Sequence, residues 1–166
     1  TLDYLFIDEA GQVSIANLIA MSRSAKNLVL IGDQMQLGQP LQGSHPAESG
    51  MSILDYLLPD SPTIADDMGV LLDTTYRMHS SVNQFISTHF YEGKVKADAD
   101  NDKRTVKVPH NYQGLLNKDA GIIFIPVAHE GNKQSSDEEV SVIQAITKEL
   151  LGRELTQLSG VSRPVS

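Results

Sequence analysis

The chain has 166 residues, 40% hydrophobic and 20% charged, a balance that fits a soluble globular protein of one ordinary domain or two partial ones and excludes a disordered class. Its net charge of −8 argues against a nucleic-acid groove made by this chain alone, because phosphate binding is driven by Lys and Arg. With no Cys there are no disulfides or thiolate metal sites, the five His lack paired-ligand spacing, and no apolar run approaches the ~20 residues that span a bilayer, so the cytoplasm is the expected compartment and no membrane partner is expected.

The first strand is LDYLFID at 2–8, a near-continuous apolar run of the kind buried on both faces of a parallel sheet. Ser14 to Met21 follows as a short helix with Ile15, Leu18 and Ile19 at i, i+3, i+4 spacing, and NLVLIGD at 27–33 is a second strand. Strand, helix, strand is a βαβ signature. Gln34 to Gly50, rich in Gly, Gln and Pro, reads as a long functional loop, and SILDYLL at 52–58 as a helix. A boundary is expected between residues 59 and 68, giving domains 1–67 and 68–166.

Beyond it, GVLLDTTYRM at 69–78 reads as a strand running into a loop, and Ser80 to Phe90 as a helix with Val82, Phe85, Ile86 and Phe90 on one face. Residues 93–119 alternate charges with turn residues and read as a surface excursion, in which Lys94, Lys96, Lys103, Arg104 and Lys107 interleave with Asp98, Asp100 and Asp102. GIIFIPV at 121–127 is a strand by its β-branched content. SSDEE at 135–139 opens the last helix, with Ser135/Glu138 or Ser136/Glu139 as a capping box and Val140, Ile143, Ile146 and Leu150 as its buried stripe. The chain enters a strand pattern at Thr1 and closes in GVSRPVS without capping signals, so it reads as part of something longer.

Both early strands end in acids. In an open parallel sheet ligands sit beyond the carboxyl ends of the strands, where Asp8, Glu9 and Asp33 fall. Like charges that close raise each other's pKa unless a cation neutralises them. Mg²⁺ is the oxygen-seeking ion suited to such a rim, and it usually arrives carrying phosphates. Residues 1–60 hold seven acids and two bases, so an anion bound there is reached through a cation.

Three stretches in order, IDEAGQ at 7–12, IGDQMQLGQP at 31–40, and YRMH at 76–79 with FYEG at 90–93, resemble helicase motifs II, III and IV of the superfamily 1 enzymes in the up-frameshift-type branch. LQGSHP with SILDYLL, and the later IIFIPVAHEGNKQSSDEE, resemble bacterial members that fuse this core to a RecB-like nuclease. The resemblance implies an α/β, P-loop NTPase (RecA-like) three-layer α/β/α fold with a mostly parallel sheet, present as parts of two RecA-like domains. It implies ATP and Mg²⁺ as cofactors, with Asp8 holding the ion of Mg-ATP largely through water and Glu9 orienting and deprotonating the attacking water.

Gln12 and Gln36 would be uncharged sensors of the γ-phosphate, beside Asp33, and Gly32 would let the backbone turn sharply into the sensor loop. Arg77 would be the arginine finger supplied by the second domain, and Tyr76 would lie near the adenine. The intact protein would move 5′→3′ along single-stranded nucleic acid, DNA in preference to RNA. Departures from the pattern are specific. No G-x-x-x-x-G-K-[ST] loop is present, since Gly93-Lys94 has Thr88 where the first Gly should stand and Val95 where the hydroxyl should stand, so the chain by itself is expected not to hydrolyse ATP. The sensor loop reads QLGQP where family members commonly read QLPP, and Gly11 stands where many have Ser.

Plainer readings stand beside these. Asp8-Glu9 could be a solvated strand end, Asp33 a turn residue, and Arg77 the partner of Asp73 in a surface ion pair. Rival functions are a Mg²⁺-dependent phosphatase or nuclease built on Asp8, Glu9 and Asp33, and a degenerate P-loop module used as a scaffold.

Overall fold

The computed structural model describes residues 1–38, 40–41, 43–59 and 61–166. The chain forms two compact units, Thr1–Leu71 and Leu72–Ser166. No helix among the described residues is long and apolar enough to cross a membrane.

In the first unit, β1 (Leu2–Ile7) and β2 (Ala25–Leu30) pair in parallel with Ile7 opposite Leu30, and α1 (Ile15–Ser22) is the crossover. The βαβ reading of the sequence is realised. Ser14 caps α1 by accepting from the Asn17 amide at 3.3 Å, and Ser52 caps α2 (Ile53–Leu57) by accepting from the Asp55 amide at 3.1 Å. The two caps form an antiparallel bridge, Ile15 N to Met51 O at 3.0 Å and Ile53 N to Val13 O at 2.9 Å, so the helices start side by side. The core is Ile7, Ala10, Leu18, Ile53 and Leu54, with Leu5, Val13, Ile15 and Leu30 packed against it. Burial on both faces of the sheet is not observed. Tyr4 and Phe6 are 59% and 65% exposed, because α1 and α2 cover a single face of the β1–β2 pair.

The second unit departs further from the pattern read in the sequence. The strand expected over 69–78 is reduced to β3 (Thr74–Thr75), parallel to β4 (Lys96–Ala97), and Val70 stands 84% exposed. Residues 121–127 form no strand: they alternate half-buried and exposed positions, with Phe124 at 86%, but pair with no neighbour among the described residues. β-branched content favours a strand only where a ladder exists to join. The three-stranded sheet of this unit is instead antiparallel, β5 (Thr105–Val106), β6 (Glu154–Thr156) and β7 (Ser162–Pro164).

Helix α3 (Ser80–Phe90) has the expected bounds but a different inner face. Asn83 and Ser87 are its buried residues, whereas Phe85 and Phe90 are exposed. Hydrogen bonds select that face: Asn83 Nδ2 donates to Val95 O at 2.9 Å, and Val95 N donates to Ser87 Oγ at 3.1 Å. Helix α4 (Asp137–Leu150) is capped by Ser136, which accepts from the Glu139 amide at 3.2 Å and donates to Glu138 Oε2 at 2.9 Å. The box is half made, because Glu139 pairs with His129 at 3.2 Å instead of returning to the cap. Its expected stripe is not buried: Val140 and Ile143 face solvent.

The end of α4 is fixed by Glu149, which accepts from the Leu115 and Leu116 amides at 3.2 and 3.1 Å, while Arg153 donates to Leu116 O at 2.8 Å and lies over the Tyr112 ring. The Tyr112 hydroxyl is the largest influence holding the Glu149 carboxyl below its ordinary range, followed on the lowering side by those two amides and Arg153. A carboxyl depressed in the folded state contributes stability above its unfolded pKa and loses it as pH falls through the folded one. Thermal unfolding followed by circular dichroism should therefore show the melting temperature dropping below about pH 4, and Glu149→Gln should flatten that acid limb while lowering the plateau near neutrality. An unchanged acid limb in the variant contradicts the assignment.

Candidate active site

Because β1 and β2 run the same way, their carboxyl ends reach one edge, and the loops leaving them interlock. Ile31 N donates to Ile7 O at 2.8 Å, and Ala10 N donates to Ile31 O at 2.9 Å, so the parallel ladder continues past the strands into the acidic turn. Asp8 and Glu9 form that turn, both exposed. Glu9 adopts the left-handed conformation, φ 53° and ψ 38°, and its amide donates to Asp8 Oδ1 at 2.9 Å. A side chain in this region costs on the order of 1–2 kcal/mol, a strain typical of functional turns.

Two glycines allow the loops to meet backbone against backbone. A Cβ on Gly11 would lie 2.4 Å from Asp33 O, and one on Gly32 would lie 2.7 Å from Ala10 N and 2.9 Å from Gly11 N. The Gly in place of Ser at position 11 thus has a local cause: this approach leaves no room for a Cβ.

Asp33 is half-buried and engaged at both oxygens: Oδ1 accepts from Met35 N at 3.0 Å and Oδ2 from Gln36 Nε2 at 3.0 Å. Its carboxylate therefore folds the loop back as an Asx turn and tethers the Gln36 amide. Gln34 donates to Ser61 O at 2.9 Å, which anchors the same loop from beyond α2. Gln12 ends the short 3-10 turn Ala10–Gln12 and borders a hollow of about 130 Å³ with Gly11, Ser14, Ser52 and Asp55. Ser52 and Asp55, joined by a 2.7 Å hydrogen bond, are neighbours of the site that motif reading passed over; their sequence signal was the cap pattern of α2.

The rim is acidic, and among the described residues the Lys and Arg of its unit lie elsewhere. Arg23 follows α1, and Lys26, the second residue of β2, pairs with Asp3 at 3.0 Å, at the other end of the strands. Among the described residues no group of three His, Cys, Asp or Glu could hold a metal ion.

Tyr76 and Arg77 belong to the second unit, in the loop after β3. Tyr76 is 73% exposed and Arg77 is exposed. No ion pair joins Arg77 to Asp73 among the described residues; Asp73 Oδ1 accepts from Thr74 Oγ1 at 2.9 Å, and the Arg77 amide donates to Thr75 Oγ1 at 3.2 Å.

The AAA domain family matches residues 52–161. The chain belongs to this family. As a superfamily 1 helicase segment of the up-frameshift branch it shares the P-loop NTPase fold, seen here as mixed α/β units with parallel strand pairs. It is similar to the probable helicase MAGATAMA 3 of Arabidopsis thaliana, 32% identical over 114 residues, which cover 67% of this chain and 13% of that protein. The ATP-dependent helicase NAM7 of Saccharomyces cerevisiae is 30% identical over 117 residues, 67% of this chain and 12% of the relative. The 5′-3′ DNA helicase ZGRF1 of Mus musculus is 35% identical over 92 residues, 54% of this chain and 5% of the relative. The helicase segment thus spans a small part of the length of each.

The glycine contacts make a direct prediction about this segment. Gly32→Ala and Gly11→Ala force backbone against Cβ and should each lower stability by about 1–3 kcal/mol in urea unfolding. Gly38→Ala, whose Cβ meets nothing within 4 Å, should leave the midpoint unchanged. Equal midpoints for all three would contradict the interlocked loops.

Proposed function

We propose that this chain carries part of the hydrolytic rim of an ATP-driven helicase, with residues 1–67 and 68–166 as portions of two successive RecA-like domains. The observation that carries the reading is the parallel β1–β2 pair, which brings Asp8-Glu9 and the Asp33–Gln36 loop to one edge in mutual contact. The donor set fits Mg-ATP. Mg²⁺ keeps several waters and takes one or two carboxylates plus phosphate oxygens, which suits an exposed Asp8 and the lack of a three-donor cluster among the described residues. That same donor set speaks against the two-metal phosphatase or nuclease reading, which needs carboxylates shared between ions.

Bound Mg-ATP supplies the terminal phosphoryl group that passes to water. In this reading Asp8 would hold the ion, and Glu9 would orient the attacking water and take its proton. Gln12 and Gln36 would donate to phosphate oxygen and accept from that water. Asp33 serves them by fixing the Gln36 amide, and Gly32 by letting the two loops close on each other. Tyr76 offers an exposed ring to the adenine, and Arg77 a planar fork to the charge that develops on the phosphoryl oxygens. The strand moved is single-stranded nucleic acid. DNA and 5′→3′ polarity are supported by the likeness to a relative named a 5′-3′ DNA helicase. The compartment is the cytoplasm, where ATP and such a strand are both at hand.

The test is nucleic-acid-stimulated ATP hydrolysis by the longer protein that supplies a phosphate-binding loop. Glu9→Gln should lower kcat on the order of 10²–10⁴-fold while a fluorescent ATP analogue still binds. A stimulated rate equal to the parent's refutes Glu9 as the base, and no ATPase in the parent itself favours the scaffold reading.

A further inference from the structure

The loop after β3 that carries Tyr76 and Arg77 has no regular structure of its own, yet its backbone is gripped by one short segment, the 3-10 helix Ala99–Lys103 with its flanking Asp98 and Arg104. Asn101 Nδ2 donates to Thr75 O at 2.8 Å, and Asp98 N donates to the same oxygen at 3.0 Å. Arg104 Nη2 donates to Arg77 O, lies 3.5 Å from Tyr76 O, and is itself held by Asn101 Oδ1 at 2.8 Å. Asp102 Oδ1 accepts from Ser80 N at 2.7 Å and stands 3.4 Å from His79 Nδ1.

Asn101 is 1% exposed, the largest side chain buried to that degree, and both ends of its amide are used. A polar side chain is buried so completely only where its hydrogen bonds are made. The grip falls on main-chain atoms of residues 75, 77 and 80 and leaves the Arg77 side chain exposed.

We infer that Asn101, Asp102 and Arg104 are positioning residues for Arg77, a clamp that fixes the backbone of the arginine-bearing loop so that its guanidinium is delivered in one place. The inference rests on the reading of Arg77 as the arginine finger. The physical need is strict, because electrostatic stabilisation of a phosphoryl transition state depends on donors held in advance, and a misplacement of about 1 Å can cost on the order of a hundredfold in rate. A long, exposed side chain has no rigidity of its own, so its precision must come from its main chain. Arg104 provides this with a charge-assisted bond to the carbonyl of Arg77 itself.

The test is steady-state ATPase of the full-length protein with saturating single-stranded nucleic acid. Arg104→Lys keeps the charge but loses the fork, and should lower kcat on the order of ten- to a hundredfold with the KM for ATP nearly unchanged. Added to Arg77→Ala, the same substitution should lower kcat no further, since it acts only through the residue already removed. Asn101→Ala should behave in the same way wherever it folds, judged by its melting temperature; Arg104→Lys decides the matter if it does not fold. An equal loss from Arg104→Lys in the presence and absence of Arg77, or an unchanged kcat for Arg104→Lys while Arg77→Ala is impaired, overturns the clamp and leaves the finger standing. If Arg77→Ala itself retains full kcat, the finger reading falls, and the clamp with it.

Discussion

The constraint on which the first unit depends is that β1 and β2 run in the same direction. A parallel pair cannot be joined by a tight turn, so α1 must cross back, and both carboxyl ends then emerge at one edge. The bonds from Ile31 N to Ile7 O and from Ala10 N to Ile31 O carry that ladder one step beyond the strands, into the turn that bears Asp8 and Glu9. Everything at the rim follows from this contact: the left-handed Glu9, the Gly at 11 and 32, and the Asp33 turn that holds Gln36. The unit sets Asp8, Glu9 and Asp33 at that edge, while Arg23 follows α1 and Lys26 pairs with Asp3.

The second unit places its candidate residue by a different device. Tyr76 and Arg77 lie in a loop that follows a strand of two residues, too short to define a direction for what comes after it. Its order comes from side chains of Asn101, Asp102 and Arg104 that bond to main-chain atoms. In the first unit a sheet edge fixes where acids and amides stand, and in the second a set of polar side chains fixes the backbone of the loop that bears Arg77.

What could be read from the sequence was whatever is decided locally. Serine caps, apolar runs ending in acids and the YRMH turn are short-range signals, and β1, β2, α1 and α3 lie close to where they were read. Residues 121–127 and 69–73 misled because strand formation requires a partner that composition cannot supply. The inner face of α3 misled for another reason: Asn83 and Ser87 are buried by bonds to Val95, a segment eight residues beyond Ser87, and apolar periodicity is blind to them. The alternating charges near residue 100 read as a solvated surface, and Lys103 does pair there with Asp100 at 2.7 Å, yet Asn101 and Arg104 in the same stretch turn inward. At the rim, the motif loops were legible as motifs, whereas the tether from Asp33 to Gln36 and the collision that excludes a Cβ at Gly11 depend on how two loops meet.

The shared rim is tested most directly by a crystal structure of the longer protein with Mg²⁺ and a non-hydrolysable ATP analogue. The expected result is an ion whose water shell contacts the Asp8 carboxylate, with the Gln36 amide facing the terminal phosphate. An ion and triphosphate bound away from the edge where β1 and β2 end, with Asp8 and Gln36 both left in solvent, would contradict it.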